Sequence, residues 1–466
     1  MTQANQGKQQ ANQRRRPQWG SYPAFLLATI GSSIGLGNVW RFPSELGVHG
    51  GTYLYLYLAS VGLVAFPLIL AELWIGRLGQ GNTVSSVARI VRREHGSSLW
   101  KVIGWLGIVT SFLIFSFYSV VASWILFYVM ESVSGAFVDM PAEIVQHSFG
   151  ALLRNTDQML IWHTVFVLLV VLVMSRDLRH GLERAVRLLM PVFIAMLVWL
   201  ALYSTQTGNY EKAYVFMFSF DWRQISADMV VSALTQALFS LSVGIGILIM
   251  YGSYLDERRP LFLGAGSIML FDIAIALLTC VMIFSIAFAF GMRPDAGIGL
   301  IFQTLPVAFS QMPANGVLWS SAFFMLLLVA ALTSGFALLE PTIALLTDRG
   351  RMSRRVAAWL VGAAAWALGL VSVYSFGEFS FRFYYFGIEQ TRGFFDVFTL
   401  LSLHVLLPFT ALLIAVFAGW RMPLSTNQDG QIDKPFISYR LWRWCIRFLA
   451  PTLIALVLLL VLFYPG

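Results

Sequence analysis

The first long apolar stretch of this chain is interrupted at residues 30–38 by the segment Ile30-Gly31-Ser32-Ser33-Ile34-Gly35-Leu36-Gly37-Asn38. Five stretches later, the sixth is interrupted in the same way by Phe239-Ser240-Leu241-Ser242-Val243-Gly244-Ile245-Gly246. Glycine is common in membrane helices because it allows close packing, so one such segment alone would suggest an ordinary helix contact. Two of them in register, each containing Ser or Asn, instead predict two helices that unwind in the middle of a membrane.

The composition is that of a protein embedded in lipid. Of the 466 residues, 58% are hydrophobic and 12% are charged, whereas soluble domains carry about 25% charged residues. A spanning helix needs roughly 20 mostly apolar residues. Eleven stretches meet this requirement, and they start near Tyr22, Thr52, Val102, Met159, Ala185, Met229, Leu261, Gly316, Val356, Phe394 and Leu441. The third and the eighth are about 30 residues long, which predicts tilted helices.

The positions of the basic residues predict the orientation of the chain, because Lys and Arg accumulate in cytoplasmic loops. With the N-terminus inside, the cytoplasmic segments contain 24 of the 31 basic residues. We therefore predict a multi-pass protein of the plasma (inner) membrane with a cytoplasmic N-terminus and an extracytoplasmic C-terminus. The net charge of +8 is scattered in short clusters between apolar runs, so it does not indicate nucleic-acid binding.

On this topology we predict an all-α integral membrane fold. It has eleven transmembrane helices with a five-plus-five inverted repeat, in which helices 1 and 6 are broken. The predicted parts are a cytoplasmic tail at 1–18, a first repeat (helices 1–5) at 19–204, a second repeat (helices 6–10) at 228–420, and helix 11 at 438–466.

Unwinding a helix inside a membrane leaves carbonyl and amide groups without partners, at a cost of several kcal/mol each. Freed carbonyl oxygens suit a dehydrated sodium ion, which is a hard cation. Freed amides at the N-terminus of a half-helix suit a carboxylate. An amino acid zwitterion together with sodium would satisfy both kinds of group.

Three carboxylates lie within the apolar stretches, where ionisable groups are costly. Asp272 is expected to face an ion or the protein interior, although a structural hydrogen bond to a neighbouring helix is the alternative. Glu72 is expected to accept hydrogen bonds from the amides of a broken helix. Glu340 precedes Pro341 and is expected to satisfy a local backbone defect.

These segments together resemble the neurotransmitter:sodium symporter family, and in particular its bacterial amino acid branch with eleven helices. The similarity covers essentially the whole chain, and its longest motif is Gly31 to Pro43. Further matching segments are Glu72 to Arg77, Phe117 to Ala122, Gln236 to Gly246, Leu332 to Ser334, and Phe395-Asp396.

The resemblance implies two bound sodium ions. The first would be coordinated by the substrate carboxylate together with Ser33, Asn38, Ser240 and Asp272. The second would be coordinated by backbone oxygens of Gly31, Ile34 and Ala330 and by the hydroxyls of Thr333 and Ser334.

The resemblance also implies where an amino acid would bind. Its carboxylate would meet the amides of Leu36 and Gly37 and the Tyr118 hydroxyl. Its amino group would meet carbonyls of Ser33, Phe239 and Ser240, with Ser242 nearby. The side-chain pocket would be lined by Ile114, Phe239, Ile245, Ser334 and Leu338. This lining is mostly apolar, so we expect a hydrophobic substrate, branched aliphatic or aromatic.

Two gates are implied in the same way. Arg41 and Asp396 would form the outer ionic gate, above the aromatic lid of Phe239 and Tyr118. Arg16 and Asp348 would form the cytoplasmic gate, with Trp19 packed beside it.

Departures from the animal members of the family sharpen these expectations. Members that require chloride have neutral groups around the first sodium site and a Tyr in the second helix. Here we assign Leu58 to that position, and Asp272 supplies a fixed negative charge, so we predict transport without chloride. Monoamine carriers have an Asp where this chain has Gly35, which argues against an amine that lacks a carboxylate.

Three other functions remain to be weighed. An intramembrane enzyme would need clustered catalytic or metal-binding groups. Only His163 and His404 among the histidines lie in apolar stretches, and neither has a partner at ligand spacing, so we expect no enzyme. A sensor that binds sodium and an amino acid without moving them would have the same sites. A proton-coupled permease could use Asp272 as its proton carrier.

Overall fold

The computed structural model describes residues 18–137, 140–255, 260–294, 297, 299–312, 316–348, 352–377, 379–385, 388–422 and 437–463. This part of the chain is almost entirely helical. Nine of its helices are long and apolar enough to cross a membrane. The predicted all-α membrane class is therefore confirmed.

The helices of the first half begin within a few residues of the predicted starts. They are α1 (Tyr22–Ser33), α2 (Phe42–His49, preceded by a π turn at Gly37–Arg41), α3 (Thr52–Gly79), α4 (Thr83–Arg93), α5 (Val102–Val133), α6 (Ala142–Arg154), α7 (Thr156–Met174), α8 (Arg179–Thr207) and α9 (Tyr210–Phe218). The short α4, α6 and α9 lie between the spans.

The second half continues the pattern. Its helices are α10 (Ala227–Ser240), α11 (Ile247–Gly252), α12 (Leu261–Ala289), α13 (Leu300–Ser310), α14 (Gly316–Thr347), α15 (Arg354–Tyr374), α16 (Phe394–Arg421) and α17 (437–463). A hairpin of β1 (Phe383–Tyr385) and β2 (Ile388–Gln390) precedes α16, with Tyr384 opposite Glu389. The α5 and α14 helices, predicted to be long, each have 32 residues.

Both predicted helix breaks are present. The first separates α1 from the π turn that leads into α2, and the second separates α10 from α11. In the second break Ser242, Gly244 and Gly246 have φ angles of 55°, 81° and 76°. These left-handed values cannot continue a right-handed helix, and they are unfavourable for a residue with a side chain such as Ser242.

The long helices α5 and α14 pack against each other and form the middle of the molecule, with α7 and α15 alongside α5. The two halves of the broken helix, α10 and α11, both pack against α3. The carboxylates expected in the membrane, on α3, α12 and α14, are fully buried. The two breaks therefore lie inside the protein, as irregular backbone at membrane depth must.

The crossing of α3 and α11 is so close that it requires glycine. A Cβ added at Gly76 of α3 would overlap the carbonyl oxygen of Ile249, and one at Gly252 of α11 would overlap that of Leu73. By contrast, a Cβ at Gly62, about four turns earlier on α3, would meet nothing within 4 Å.

We therefore expect Gly76→Ala to destabilise the protein by about 1–3 kcal/mol, the usual cost of overpacking. Gly62→Ala on the same helix is the matched control, and it should leave the protein unchanged or slightly more stable because Ala favours helix. The measurement is the thermal unfolding midpoint of each purified variant. Equal midpoints for the two variants would contradict the close crossing.

Candidate functional site

A buried polar cluster joins the first break to α12. The side-chain amide of Asn38 donates to Asp272 Oδ1 at 2.8 Å and to the Asp272 carbonyl oxygen at 3.1 Å. The hydroxyl of Ser240, at the end of α10, donates to Asp272 Oδ2 at 3.3 Å. The structure thus brings together three of the four residues expected at the first sodium site. The fourth, Ser33, instead donates to the carbonyl of Ile30 at 2.9 Å.

A tyrosine of α3 completes this cluster, one residue before Leu58, the position for which the sequence predicted no tyrosine. The hydroxyl of Tyr57 donates to Asp272 Oδ2 at 2.7 Å and lies 3.3 Å from Ser240 Oγ. Leu58, which we had assigned to this position, is the next residue of the helix and therefore points elsewhere. The assignment was wrong by one residue. The turn at Gly50-Gly51 sets the register of α3, so the position facing Asp272 could not be found by counting residues from the preceding helix.

One oxygen of the cluster has no protein partner. Asn38 Oδ1 is buried and makes no hydrogen bond among the described residues. An unpaired buried acceptor costs about 1–3 kcal/mol, unless a cation or donor binds to it. Oxygen from an amide, a carboxylate and a hydroxyl is the donor set that a hard cation prefers. The residues present therefore fit a sodium ion at this place.

A second group of oxygens lies where α14 meets the first break. The Ser334 hydroxyl is 3.5 Å from the carbonyl oxygens of both Ser32 and Ile34. The Thr333 hydroxyl is 3.1 Å from the carbonyl oxygen of Ala330. Of the five residues expected at the second sodium site, Ser334 contacts Ile34 across the break, while Thr333 bonds back to Ala330 within α14, as threonine commonly does in a helix. The fifth, Gly31, lies one turn back in α1, where a Cβ would contact Met190 of α8 at 3.0 Å.

The residues expected to bind the substrate surround the two breaks. The Tyr118 hydroxyl donates to the carbonyl of Ala331 at 3.2 Å. The Ser242 hydroxyl donates to the carbonyl of Ser32 at 3.0 Å and so ties the second break to the first. A Cβ added at Gly37 would lie 3.3 Å from the Phe239 ring. Of the apolar residues expected to line the side-chain pocket, Ile114, Ile245 and Leu338 are buried and Phe239 is half-buried.

Glu72 has the role expected for it. Its Oε1 accepts the amide of Gly244 at 2.7 Å, and Glu72 itself is fully buried. The carboxylate thus accepts a hydrogen bond from a backbone amide of the second break that has no helical partner.

On the predicted outer side, the structure does not bring the two expected gate residues together. Arg41 donates to Gln236 Oε1 at 2.7 Å and lies 3.4 Å from Glu45. The Asp396 carboxylate instead accepts the amide of Arg392 at 2.8 Å. Gln236 also donates to the carbonyl of Gly37 at 2.8 Å. Gln236 begins the matching segment Gln236 to Gly246, but its residue type and position did not predict that it would bridge Arg41 and Gly37.

On the predicted cytoplasmic side, Trp19 is buried beneath α11. Its indole nitrogen donates to the carbonyl of Tyr251 at 3.2 Å, and its ring meets the Tyr251 ring edge-on at 5.3 Å. Asp348 accepts the amide of Asn82, which precedes α4. Arg16, the other expected gate residue, lies outside the described residues.

The interpretation of Glu340 was wrong. Its carboxylate does not repair the backbone near Pro341. It binds the Arg354 guanidinium with both oxygens, at 3.0 and 2.6 Å, and accepts the Tyr254 hydroxyl at 2.7 Å. Arg354 is the first residue of α15. No periodic pattern of apolar residues could predict that it contacts Glu340 of the preceding helix.

The comparisons with known proteins agree with this geometry. The model of the sodium:neurotransmitter symporter family matches residues 16–151 and 147–465. An uncharacterised sodium-dependent transporter of Bacillus subtilis, YhdH, is 30% identical over 96% of this chain and 98% of its own length. An uncharacterised sodium-dependent transporter of Haemophilus influenzae is 28% identical over 97% and 99%.

A solved structure extends the similarity to three dimensions. The crystal structure of MhsT in complex with L-phenylalanine superimposes with a TM-score of 0.86 at 35% identity, over 95% of this chain and 99% of MhsT. The family model and this match both extend over nearly the whole chain, broken helices included. The chain therefore belongs to the sodium:neurotransmitter symporter family.

Proposed function

We propose that this protein imports a hydrophobic amino acid by coupling it to the entry of two sodium ions through alternating access. The observation that carries the proposal is the cluster of Asn38, Ser240 and Asp272, in which one buried amide oxygen has no partner in the described part of the chain. It sits where both helices unwind. A transporter of this family needs its ions and its substrate at that place.

The first sodium ion would bind between Asn38 Oδ1 and the Asp272 carboxylate. The Asn38 amide nitrogen is held by Asp272 at 2.8 Å, so its oxygen is oriented away from that bond and is free for an ion. We propose that Ser33 and the substrate carboxylate complete this site once both are bound. Shared coordination of this kind would couple ion binding directly to substrate binding.

The second sodium ion would bind between α1 and α14. The Ser334 hydroxyl lies equally far, 3.5 Å, from the carbonyl oxygens of Ser32 and Ile34. Such long contacts leave room for an ion to replace them with coordination bonds. Gly31, Ala330 and Thr333 would supply the remaining oxygens.

The substrate would lie between the breaks, with its carboxylate at the amides of Leu36 and Gly37 and at the Tyr118 hydroxyl. Its amino group would meet carbonyls of Ser33, Phe239 and Ser240. The buried apolar lining supports a branched aliphatic or aromatic side chain, and MhsT, a relative of similar structure, has been crystallised with L-phenylalanine.

Independence from chloride is part of the proposal. Asp272 already places a negative charge beside Tyr57 and Ser240, at 2.7 and 3.3 Å. A chloride ion in the same place would be repelled by that carboxylate. The presence of Tyr57 does not alter this reasoning, because its hydroxyl donates to Asp272 and is already engaged.

The proposed architecture has eleven crossings, of which helices 1 and 6 are α1–α2 and α10–α11. Residues 19–204 and 228–420 would form the inverted repeats, with the N-terminus in the cytoplasm and α17 ending outside. We propose that Trp19, Arg16 and Asp348 close the inner side. Arg41 with Gln236 would close the outer side above Phe239.

Two sodium ions supply enough energy for accumulation. Each ion that enters down 100 mV contributes about 2.3 kcal/mol. Two ions moving with a neutral zwitterion therefore correspond to roughly a thousandfold accumulation from voltage alone.

The experiment that tests the function is uptake of a panel of labelled amino acids into proteoliposomes. We expect accumulation of hydrophobic amino acids only with an inward sodium gradient, and unchanged uptake when gluconate replaces chloride. Saturable binding without accumulation would favour the sensor. Uptake driven by a pH gradient in sodium-free buffer would favour the permease, and loss of uptake in gluconate would contradict independence from chloride.

For the second sodium site we expect Thr333→Ala combined with Ser334→Ala to abolish the stimulation of uptake by sodium. Both hydroxyls would be ligands, and alanine offers none. The control is Thr342→Ala on the same helix α14, which should leave the sodium dependence unchanged. Equal sodium affinity in the double variant and the wild type would remove this site.

For the first sodium site we expect Tyr57→Phe to raise the sodium concentration needed for half-maximal uptake by about tenfold. A hydrogen bond to a charged group contributes about 1.5–3 kcal/mol, and its loss leaves the Asp272 carboxylate free to turn from its present position. Leu58→Ala, one residue on, should have little effect. A larger effect from Leu58→Ala than from Tyr57→Phe would restore the original assignment.

A further inference from the structure

Three arginines lie close together in sequence in the first part of α17. Arg440, Arg443 and Arg447 follow one another at intervals of three and four residues, so they project from one side of the helix. Residues 437–463 contain no Asp or Glu. Arg443 and Arg447 lie one turn apart on the same side of the helix, so their like charges repel each other. In the part of the chain that the structure describes, no ion pair involves any of the three.

Other arginines at the same end of the molecule are arranged differently. Arg354 is paired with the buried Glu340, and Arg187 is paired with the buried Glu183. Arg443 is half-buried as well, yet its nearest acceptor is a neutral one, the carbonyl oxygen of Ala418 at 3.1 Å. A half-buried guanidinium next to a second positive charge would be stabilised by a bound anion.

Two aromatic rings pack near the Arg447 guanidinium. The Arg447 guanidinium lies 5.5 Å from the Trp420 ring and 5.6 Å from the Phe448 ring. The backbones are close here too, since a Cβ added at Gly419 would lie 3.0 Å from the Arg447 Cα. The end of α16 and the start of α17 therefore form one continuous surface, on which Arg447 packs against aromatic rings.

The position along the helix matches the depth of a lipid headgroup layer. Arg443 and Arg447 are about 6 Å apart along the helix axis, which fits within a headgroup layer roughly 5–8 Å thick. The segment that follows, Ala450–Phe463, is apolar apart from Thr452. Trp420 and Trp444, which are 41% and 53% exposed, are the kind of residue that marks a membrane–water boundary.

We propose that an anionic phospholipid of the cytoplasmic leaflet binds with its phosphate at Arg443 and Arg447. The site, here called the α17 patch, consists of Trp420, Arg421, Arg440, Arg443, Trp444 and Arg447. Its assignment to the cytoplasmic leaflet rests on the topology proposed above. Guanidinium groups bind phosphate through paired hydrogen bonds. A net negative headgroup adds an attraction that a zwitterionic one lacks.

A lipid in this patch would also brace α3. The indole nitrogen of Trp442 donates to the carbonyl of Pro67 at 3.0 Å, and its ring lies 5.6 Å from the Trp74 ring. Both partners belong to α3, which also carries Tyr57 and Glu72 of the site. Bound lipid is therefore expected to raise the thermal stability of the whole protein.

The test is a titration of the purified full chain with phosphatidylglycerol or phosphatidylcholine, with lipid adducts counted by native mass spectrometry. The variant is Arg443→Gln with Arg447→Gln. The control is Arg92→Gln with Arg93→Gln at the end of α4, which removes the same charge from exposed residues at the same end of the molecule. Unfolding midpoints in phosphatidylcholine show whether each variant is folded.

We expect the wild type and the control to retain phosphatidylglycerol equally and to gain thermal stability from it. The patch variant should bind it about 25-fold more weakly, since each of the two basic residues removed contributes about fivefold. Arg447→Gln alone, at an exposed position, should bind with intermediate strength if the double variant does not fold. Equal retention by the patch variants and the control, or equal retention of both lipids by the wild type, would overturn the proposal. Neither result depends on whether the protein transports an amino acid.

Discussion

The hydrogen bond from the Gly244 amide to Glu72 is the interaction on which the rest of the site depends. Inside a membrane the unwound segment between α10 and α11 has no water to satisfy it. A carboxylate from α3, 2.7 Å away, takes that place. With the segment fixed, Ser240 can reach Asp272 and Ser242 can reach the carbonyl of Ser32. The two breaks thus become one polar region.

The position of that region was predictable from the sequence, but its partners across the protein were predictable only in part. Glycines between apolar residues mark the breaks, because glycine adopts left-handed backbone without the cost that other residues incur. Asn38, Ser240 and Asp272 could be grouped only through the family resemblance. Tyr57 was missed because a one-residue error in register turns a helical side chain by about 100°. The contacts of Arg41 and Glu340 depend on how separate helices pack, which no local pattern records.

The polar contacts continue from the breaks toward the predicted outside. Gln236 bonds the Gly37 carbonyl on one side and Arg41 on the other, and Arg41 reaches Glu45. Glu45 in turn accepts the Ser232 hydroxyl at 2.7 Å. The backbone proposed to hold a substrate carboxylate is therefore connected to charges of the outer vestibule. A movement of Arg41 would be transmitted to Gly37 through the side chain of Gln236.

The absence of a side chain at Gly35 has a consequence for how this protein could evolve. A Cβ there would overlap the Ser334 hydroxyl. An aspartate at this position, as in the monoamine carriers, therefore requires the Ser334 hydroxyl to move from its present place. That hydroxyl is also a proposed ligand of the second sodium ion. A change of substrate class would thus pass through an intermediate with weakened ion coupling, which separates the two lineages by a functional barrier.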